Sequence, residues 1–339
     1  MDLFLIPESR SPAMLNPPSN RTEPGEITAE ARVRAAWLYF VEGLTQEQIA
    51  QALGITRLKV TRLIAAARAD GTVRIRIDAK SASQVECERG LVNAFGLETA
   101  IVVPSAGEGE NAAALVGYAA GQWLSGEMRD GVSVALGWGN TLSLALRGMV
   151  ARACEGASVI SLMGGMTHSR AINPSAVARR VADMFGADCY QLTAPVFVSG
   201  PDIRDALLNE PTLRDLVERA GKADLALVSA GDLADGSTLA REGLIAADDL
   251  VSLRQAGAMA DILCHFIDRE GRVLDHPVNR RVMAVDLDRL RRIPRVAMAS
   301  GGAAKAPAIR AALAASAARI LITDEAAARE LLRIGPAMA

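Results

Sequence analysis

Past residue 80, short apolar runs recur along the chain: TAIVVP (99–104), GVSVALG (131–137), ASVISLMGG (157–165), DCYQLTAPVFV (188–198), ADLALVSAG (223–231), ADILCHFID (260–268), RVMAVD (281–286), RVAMASGG (295–302) and ARILITD (318–324). Several are continuously apolar, as strands buried on both faces are. Between them lie amphipathic or alanine-rich stretches such as PSAVARRVADMFG (174–186) and APAIRAALAA (306–315), which carry a helical period. Strand and helix in alternation predict a doubly wound, largely parallel α/β domain over 79–339, with ligands at the carboxyl ends of its strands.

Upstream the period is helical throughout. TAEARVRAAWLYFVEG (28–43) predicts a helix with Val33, Trp37, Leu38 and Val41 on its inner face, ended by Gly43. LTQEQIAQALGITRLKVTRLIAAARADG (44–71) predicts two more. Thr45 is placed to cap the first, with Gln48 completing a capping box, and Thr56 to cap the second. Ala50 is small where the two helices would cross. Gly54 sits where the turn needs a positive φ, and Val60, Leu63 and Ile64 face inward. This register is that of a helix-turn-helix over 28–78.

Charge sharpens the picture locally. The whole chain carries a formal charge of −2, but between Gly54 and Ile77 the basic residues Arg57, Lys59, Arg62, Arg68, Arg74 and Arg76 face the single acid Asp70. Such an excess suits a phosphate backbone. Thr56, Arg57, Lys59, Thr61 and Arg62 fall at the end of the second helix that meets base edges in the major groove, with Thr45 and Gln46 opening the helix before it. TVRIRI, after Gly71, alternates like a short strand, a wing that would bring Arg74 and Arg76 to phosphate. The bland alternative is a helical hairpin with a solvated basic face.

Composition adds bounds. Half of the 339 residues are hydrophobic, enough for a sizeable core. Cys87, Cys154, Cys189 and Cys264 are far apart and form no CxxC, so they read as reduced thiols of a cytoplasmic protein, not as a disulfide frame or zinc site. Residues 1–27, rich in proline and polar residues, read as a flexible tail without the features of a signal sequence. No run of membrane-spanning length escapes charge or glycine, so no membrane partner is expected.

The segment LYFVEGLTQEQIAQALGITRLKVTRLIAAARADGTVRIRI (38–77) resembles the SorC/DeoR-type family of sugar-binding bacterial transcriptional regulators. The likeness continues through GWGNT (137–141), LMGG (162–165), ADLALVSAG, GAMADILCHFIDREG (257–271) and GGAAKAPAIRAAL (301–313). It implies operator DNA and a sugar, polyol or sugar-phosphate effector as partners, a self-associating dimer or tetramer, and an effector domain similar to sugar-phosphate isomerases. In such a domain the glycine loop and a late lysine hold phosphate while an acid meets hydroxyls. Carried over, Gly137, Trp138, Gly139, Asn140, Thr141, Lys305 and Asp261 form that site, with Gly165 and Asn173 after the LMGG turn as weaker members. Ser229–Gly231 stands where the family has a glycine-rich turn and Ala260 where it has glycine, so the pocket's shape is altered.

The residues alone support this less sharply. Two glycines after a strand are more often only a tight turn, and Asp261 reads equally as a surface turn carboxylate. Lysine is scarce, however, with only Lys59, Lys80, Lys222 and Lys305. A lysine opening a helix opposes the helix dipole unless an anion is near. His168, His265 and His276 form no cluster with acids, and no nucleophile motif, metal-ligand motif or cofactor fingerprint appears. The pattern therefore reads as a sensor without catalytic residues, metal or cofactor. Two alternatives stand beside it: an isomerase-like enzyme, and a DNA-binding protein with an inert oligomerisation domain.

Overall fold

A computed structural model describes residues 29–40, 42, 44–73, 82–105, 112–167 and 172–337. The chain divides into two compact units, Met1–Arg76 and Ile77–Ala339.

The first unit holds helices α1 (Ala29–Phe40), α2 (Gln46–Leu53) and α3 (Arg57–Ala69). Thr45 caps α2 with a complete capping box: its hydroxyl accepts the Gln48 N–H at 3.3 Å, while Gln48 Oε1 accepts the Thr45 N–H at 2.8 Å. Gly54 ends α2 with φ 63° and ψ 31°, a conformation that costs a side-chain-bearing residue energy. Thr56 then caps α3 by accepting the Lys59 N–H. Ile49, Ala50, Val60, Leu63 and Ile64 make a small buried core, as their spacing predicts.

One face is corrected. On α1 the buried residues are Ala35 and Ala36, with Ala31, Leu38 and Tyr39 packed on the core; Val33 and Trp37 are exposed. Three short helices leave little space at their crossing, so alanines fill it. The Trp37 indole instead donates to Glu42 Oε1 on the surface at 3.2 Å. Val41, the wing residues Arg74 and Arg76, the tail before Ala29, and His168 lie outside the described residues.

The described residues of the second unit form ten strands: β1 (Thr99–Val103), β2 (Ser133–Leu136), β3 (Ser158–Gly165), β4 (Asp188–Pro195), β5 (Leu225–Val228), β6 (Ala230–Gly231), β7 (Ala260–Ile262), β8 (His265–Ile267), β9 (Arg295–Ala299) and β10 (Ile320–Asp324). Seven of them form one parallel sheet in the order β1-β10-β9-β5-β2-β3-β4. Both its faces are buried. Val134 and Leu136 of β2 join one apolar layer with Val116, Leu124 and Phe185, while Ala135 joins the other with Leu250, Ile309 and Leu331. Residue alternation along a strand thus feeds two helix layers, the doubly wound plan the pattern predicts.

Three predicted strands resolve differently, and ADLALVSAG divides into β5 of the parallel sheet and β6 of a second sheet. ADILCHFID is a hairpin, β7–β8, turning at Leu263 (φ 53°) and Cys264 (φ 60°), which pairs antiparallel with β6. The turn carries neither glycine nor asparagine, and both its residues are buried, so its sequence is as apolar as a strand's. RVMAVD is an extended segment without a strand of its own. Its backbone bonds alternate between β3 and the chain after β4, with Val285 N–H to Leu162 O and Met283 N–H to Val196 O.

Candidate functional site

The sheet's direction of winding reverses between β2 and β5. From β2 the chain proceeds to β3 and β4 on one side; from β5 it proceeds to β9 and β10 on the other. At such a switch point the loops leaving neighbouring strands part and open a crevice. Here that crevice is a cleft of about 180 Å³. The loop after β2 contributes Trp138, Gly139, Asn140 and Thr141, that after β5 contributes Ser229 through Asp232, and that after β9 contributes Lys305. Ala113, Asp261 of β7, Gly236 through Leu239 and Arg241 complete the walls among the described residues.

Six of the nine predicted effector residues, Trp138 through Thr141, Asp261 and Lys305, therefore converge. The remaining three do not line the cleft. Gly137 is a packing position: a Cβ there would stand 3.1 Å from Leu263 and 3.3 Å from the Val228 backbone. Asn173 caps the helix Pro174–Phe185, its Oδ1 accepting the Ser175 N–H and its amide donating to Met166 O at 2.8 Å. Gly165 packs against that same cap. LMGG is thus the carboxyl end of β3, not a turn, and Gly165 and Asn173 serve the junction between that strand and the helix Pro174–Phe185.

Asp261 is buried, not a surface turn carboxylate. Its partner across the β6–β7 pair is Gly231, and its Oδ2 accepts the Cys264 N–H at 3.3 Å. Burial pushes its carboxyl up to about 7, against the opposing pull of that N–H and of Lys305; Asp232 pushes the same way as burial. Lys305 Nζ lies 3.6 Å from Asp232 Oδ2. Near neutral pH the cleft thus holds a carboxyl poised between donor and acceptor, beside a cation only loosely paired.

The cations of the cleft are side chains, with little contribution from a helix dipole. The helix that GWGNT opens, Asn140–Ala145, has only six residues, too short for much of a dipole. Lys305 belongs to a 3-10 turn, Ala303–Lys305, ahead of the helix Ala306–Ser316. Those cations are Lys305, beside Asp232, and Arg241, which the sequence does not single out. Arg241 closes the short helix Thr238–Arg241, capped by Ser237, and among the described residues its guanidinium reaches Gly236 O at 3.3 Å and Thr238 Oγ1 at 3.5 Å. A turn-rich stretch with one arginine among many carries no signal in the sequence. Thr141, Ser229, Ser237 and Thr238 add hydroxyls to the walls.

The two described histidines, His265 and His276, do not line the cleft. His265 is buried, and its Nε2 meets Val285 O at 3.2 Å; burial holds it down to about 4, hence neutral. His276 meets Ser252. Among the described residues no cluster suits a metal ion.

On the first unit, Thr45, Gln46 and Arg57 line one shallow surface with Tyr39. Thr61 Oγ1 lies 2.9 Å from Gln46 Oε1, tying α2 to α3. Thr56, Arg57, Thr61 and Arg62 are exposed and Lys59 half-buried. Arg68 stacks on Phe40 at 5.1 Å, so it belongs to the unit's own packing.

The family model described as "Putative sugar-binding domain" matches residues 80–333. The erythritol catabolism regulatory protein EryD of Brucella abortus is 31% identical over 88% of this chain and 95% of its own. The transcriptional regulator LsrR of Klebsiella pneumoniae is 30% identical over 90% of this chain and 93% of its own. Among solved structures, the full-length sorbitol operon regulator SorC of Klebsiella pneumoniae superposes with a TM-score of 0.67, covering 89% of this chain and 98% of its own at 22% identity. A DeoR family regulator from Listeria monocytogenes gives 0.69 over 74% of this chain and 99% of its own at 23% identity.

A helix-turn-helix joined to a switch-point cleft defines a ligand-responsive DNA-binding protein. The chain belongs to the sugar-binding family of SorC/DeoR-type transcriptional regulators.

Proposed function

We propose that the cleft binds a small polyhydroxylated effector, a sugar, polyol or sugar phosphate, without converting it, and that occupancy sets the affinity of the first unit for operator DNA. The observation that carries this reading is the donor set. A buried carboxyl, Asp261, sits with Lys305, Arg241 and several hydroxyls at a switch point. Asp261 meets ligand hydroxyls, accepting when ionised and donating when protonated. Lys305 and Arg241 take an anionic end where the ligand has one, assisted by Asn140 and Thr141. Relatives named for erythritol catabolism and for deoxyribonucleoside regulation support small carbohydrates or polyols as the class.

Thr45, Gln46, Thr56, Arg57, Lys59, Thr61 and Arg62 are the proposed DNA contacts. Self-association through the second unit would present two copies of α3 to the half-sites of a two-fold operator. Among the described residues no helix is long and apolar enough to cross a membrane, which fits action on DNA in the cytoplasm.

One observation favours a second reading, an isomerase. A carboxyl held near 7 is what a general base requires, and Lys305 stands nearby. A melting-temperature screen against sugars, polyols and their phosphates, with consumption of each hit followed, separates the two. A sensor is stabilised by a ligand that persists; an enzyme consumes it. Consumption overturns the sensor reading.

A further inference from the structure

The outward face of α3 carries an apolar side chain that the packing of the unit does not use. Leu58 is 63% exposed. With a helical repeat of 3.6 residues, Leu58, Thr61, Arg62 and Ala65 form one stripe, and all four are exposed. Leu58 sits in the first turn, between Arg57 and Lys59, where a recognition helix meets base edges. α3 contains no acid, and Arg57, Lys59 and Arg62 surround the leucine. That charge distribution complements a polyanionic duplex far better than an apolar protein surface.

The chemistry of the stripe is restricted. The Thr61 hydroxyl is engaged with Gln46 Oε1 at 2.9 Å and Arg57 O at 3.0 Å, so its proton is used inside the unit. Arg62 retains a guanidinium for a guanine or a phosphate. Leu58 has no polar atom, and the apolar feature on a major-groove edge is the thymine 5-methyl group. We propose that Leu58 is a specificity-determining residue that packs on a thymine methyl in each operator half-site, with the Ala65 methyl extending the same seam. This rests on the DNA-binding role of the first unit and adds to it one identified base.

Duplexes of random sequence are selected on the full-length protein, and the enriched duplex is resynthesised with deoxyuridine replacing thymidine at one position at a time. Deoxyuridine keeps the pairing and removes only the methyl. The wild type loses about fivefold in affinity at one thymine per half-site, roughly 1 kcal/mol. Leu58→Ala binds the parent duplex about fivefold more weakly and is indifferent to the methyl at that position, whereas Leu58→Met keeps the sensitivity. Leu58 is solvated, so neither change disturbs the core, and each variant's thymine-to-uracil ratio is its own control. A wild type insensitive at every thymine, or a Leu58→Ala protein as sensitive as wild type, overturns the assignment while the DNA-binding role stands. If the full-length protein enriches no duplex, that role fails and the assignment with it.

Discussion

Gly231 and Asp261 are opposed across the β6–β7 pair so closely that a Cβ on Gly231 would lie 1.9 Å from Asp261 Oδ1. The missing side chain is therefore the space in which the carboxyl sits. A glycine is required here by close approach, and the carboxyl it accommodates is the buried one of the cleft's two acids among the described residues, Asp232 being the other. Gly231→Ala should displace Asp261 from that position. The expected result is loss of effector-induced stabilisation, with a destabilisation of about 1–3 kcal/mol typical of overpacking. Denaturant melts with and without a stabilising sugar or polyol measure both. A normal response in the variant would detach Asp261 from the site.

The carboxyl's displaced titration sets a sign for its stability effect. Folded Asp261 binds its proton up to about 7, whereas the unfolded carboxyl releases it near its usual value of 3.8. Between those limits the folded state holds the extra proton, so this group makes stability fall as pH rises. His265 acts oppositely: neutral when folded down to about 4 and protonated when unfolded below 6.5, it makes stability rise over that interval. Asp261→Asn should raise the melting temperature most near pH 8, with the gain shrinking toward pH 4. Lys305, Arg241, Asp232 and Cys264 surround the group and are unchanged by the substitution. A gain independent of pH would show that the carboxyl is not buried as described.

The DNA unit depends on its caps because its core is small. Thr45→Ala removes an acceptor for the Gln48 N–H and breaks the reciprocal box, a loss of about 1 kcal/mol. Circular dichroism melts should show it as an earlier helical transition, with effector binding by the second unit unaffected. A variant melting like wild type would place the unit's stability in packing alone.

Arg62 lies on the exposed stripe of α3, and among the described residues it has no hydrogen-bond or ion-pair partner. Arg62→Ala should weaken binding to a selected duplex by about 1–3 kcal/mol if the guanidinium reads a base, and relax the preference at one position. A uniform weakening across all sequences, with a shallower salt dependence, would assign Arg62 to phosphate instead.

Much of this was legible in the chain. The register of Ala50, Gly54 and Val60 specifies the helix-turn-helix because each position answers a local steric demand. The apolar runs specify the sheet because parallel strands are buried on both faces. GWGNT and Lys305 are visible for a similar reason, following strands whose ends are easily recognised. Other features are set by distant partners. Trp37 and Val33 have the period of an inner face, yet the tight crossing of α1 and α3 takes Ala35 and leaves them outside. The Leu263–Cys264 turn hides in an apolar run because both its residues are buried. Arg241 enters the cleft only because β5 and β2 are neighbours, which depends on strand order. Asn173 looks like a ligand residue by its place after LMGG, but its amide is used in capping.

The central claim is that occupancy of the cleft sets DNA affinity. Its most direct test is fluorescence anisotropy of a selected operator duplex with the full-length protein, with and without a stabilising sugar, polyol or sugar phosphate, for wild type and Lys305→Ala. A ligand-induced change of at least about fivefold is expected in wild type, the lower end of ordinary coupling between sites. Lys305→Ala should bind the same duplex equally well and show no such change. Equal operator affinity with and without saturating ligand, or an unaltered response in Lys305→Ala, would contradict it.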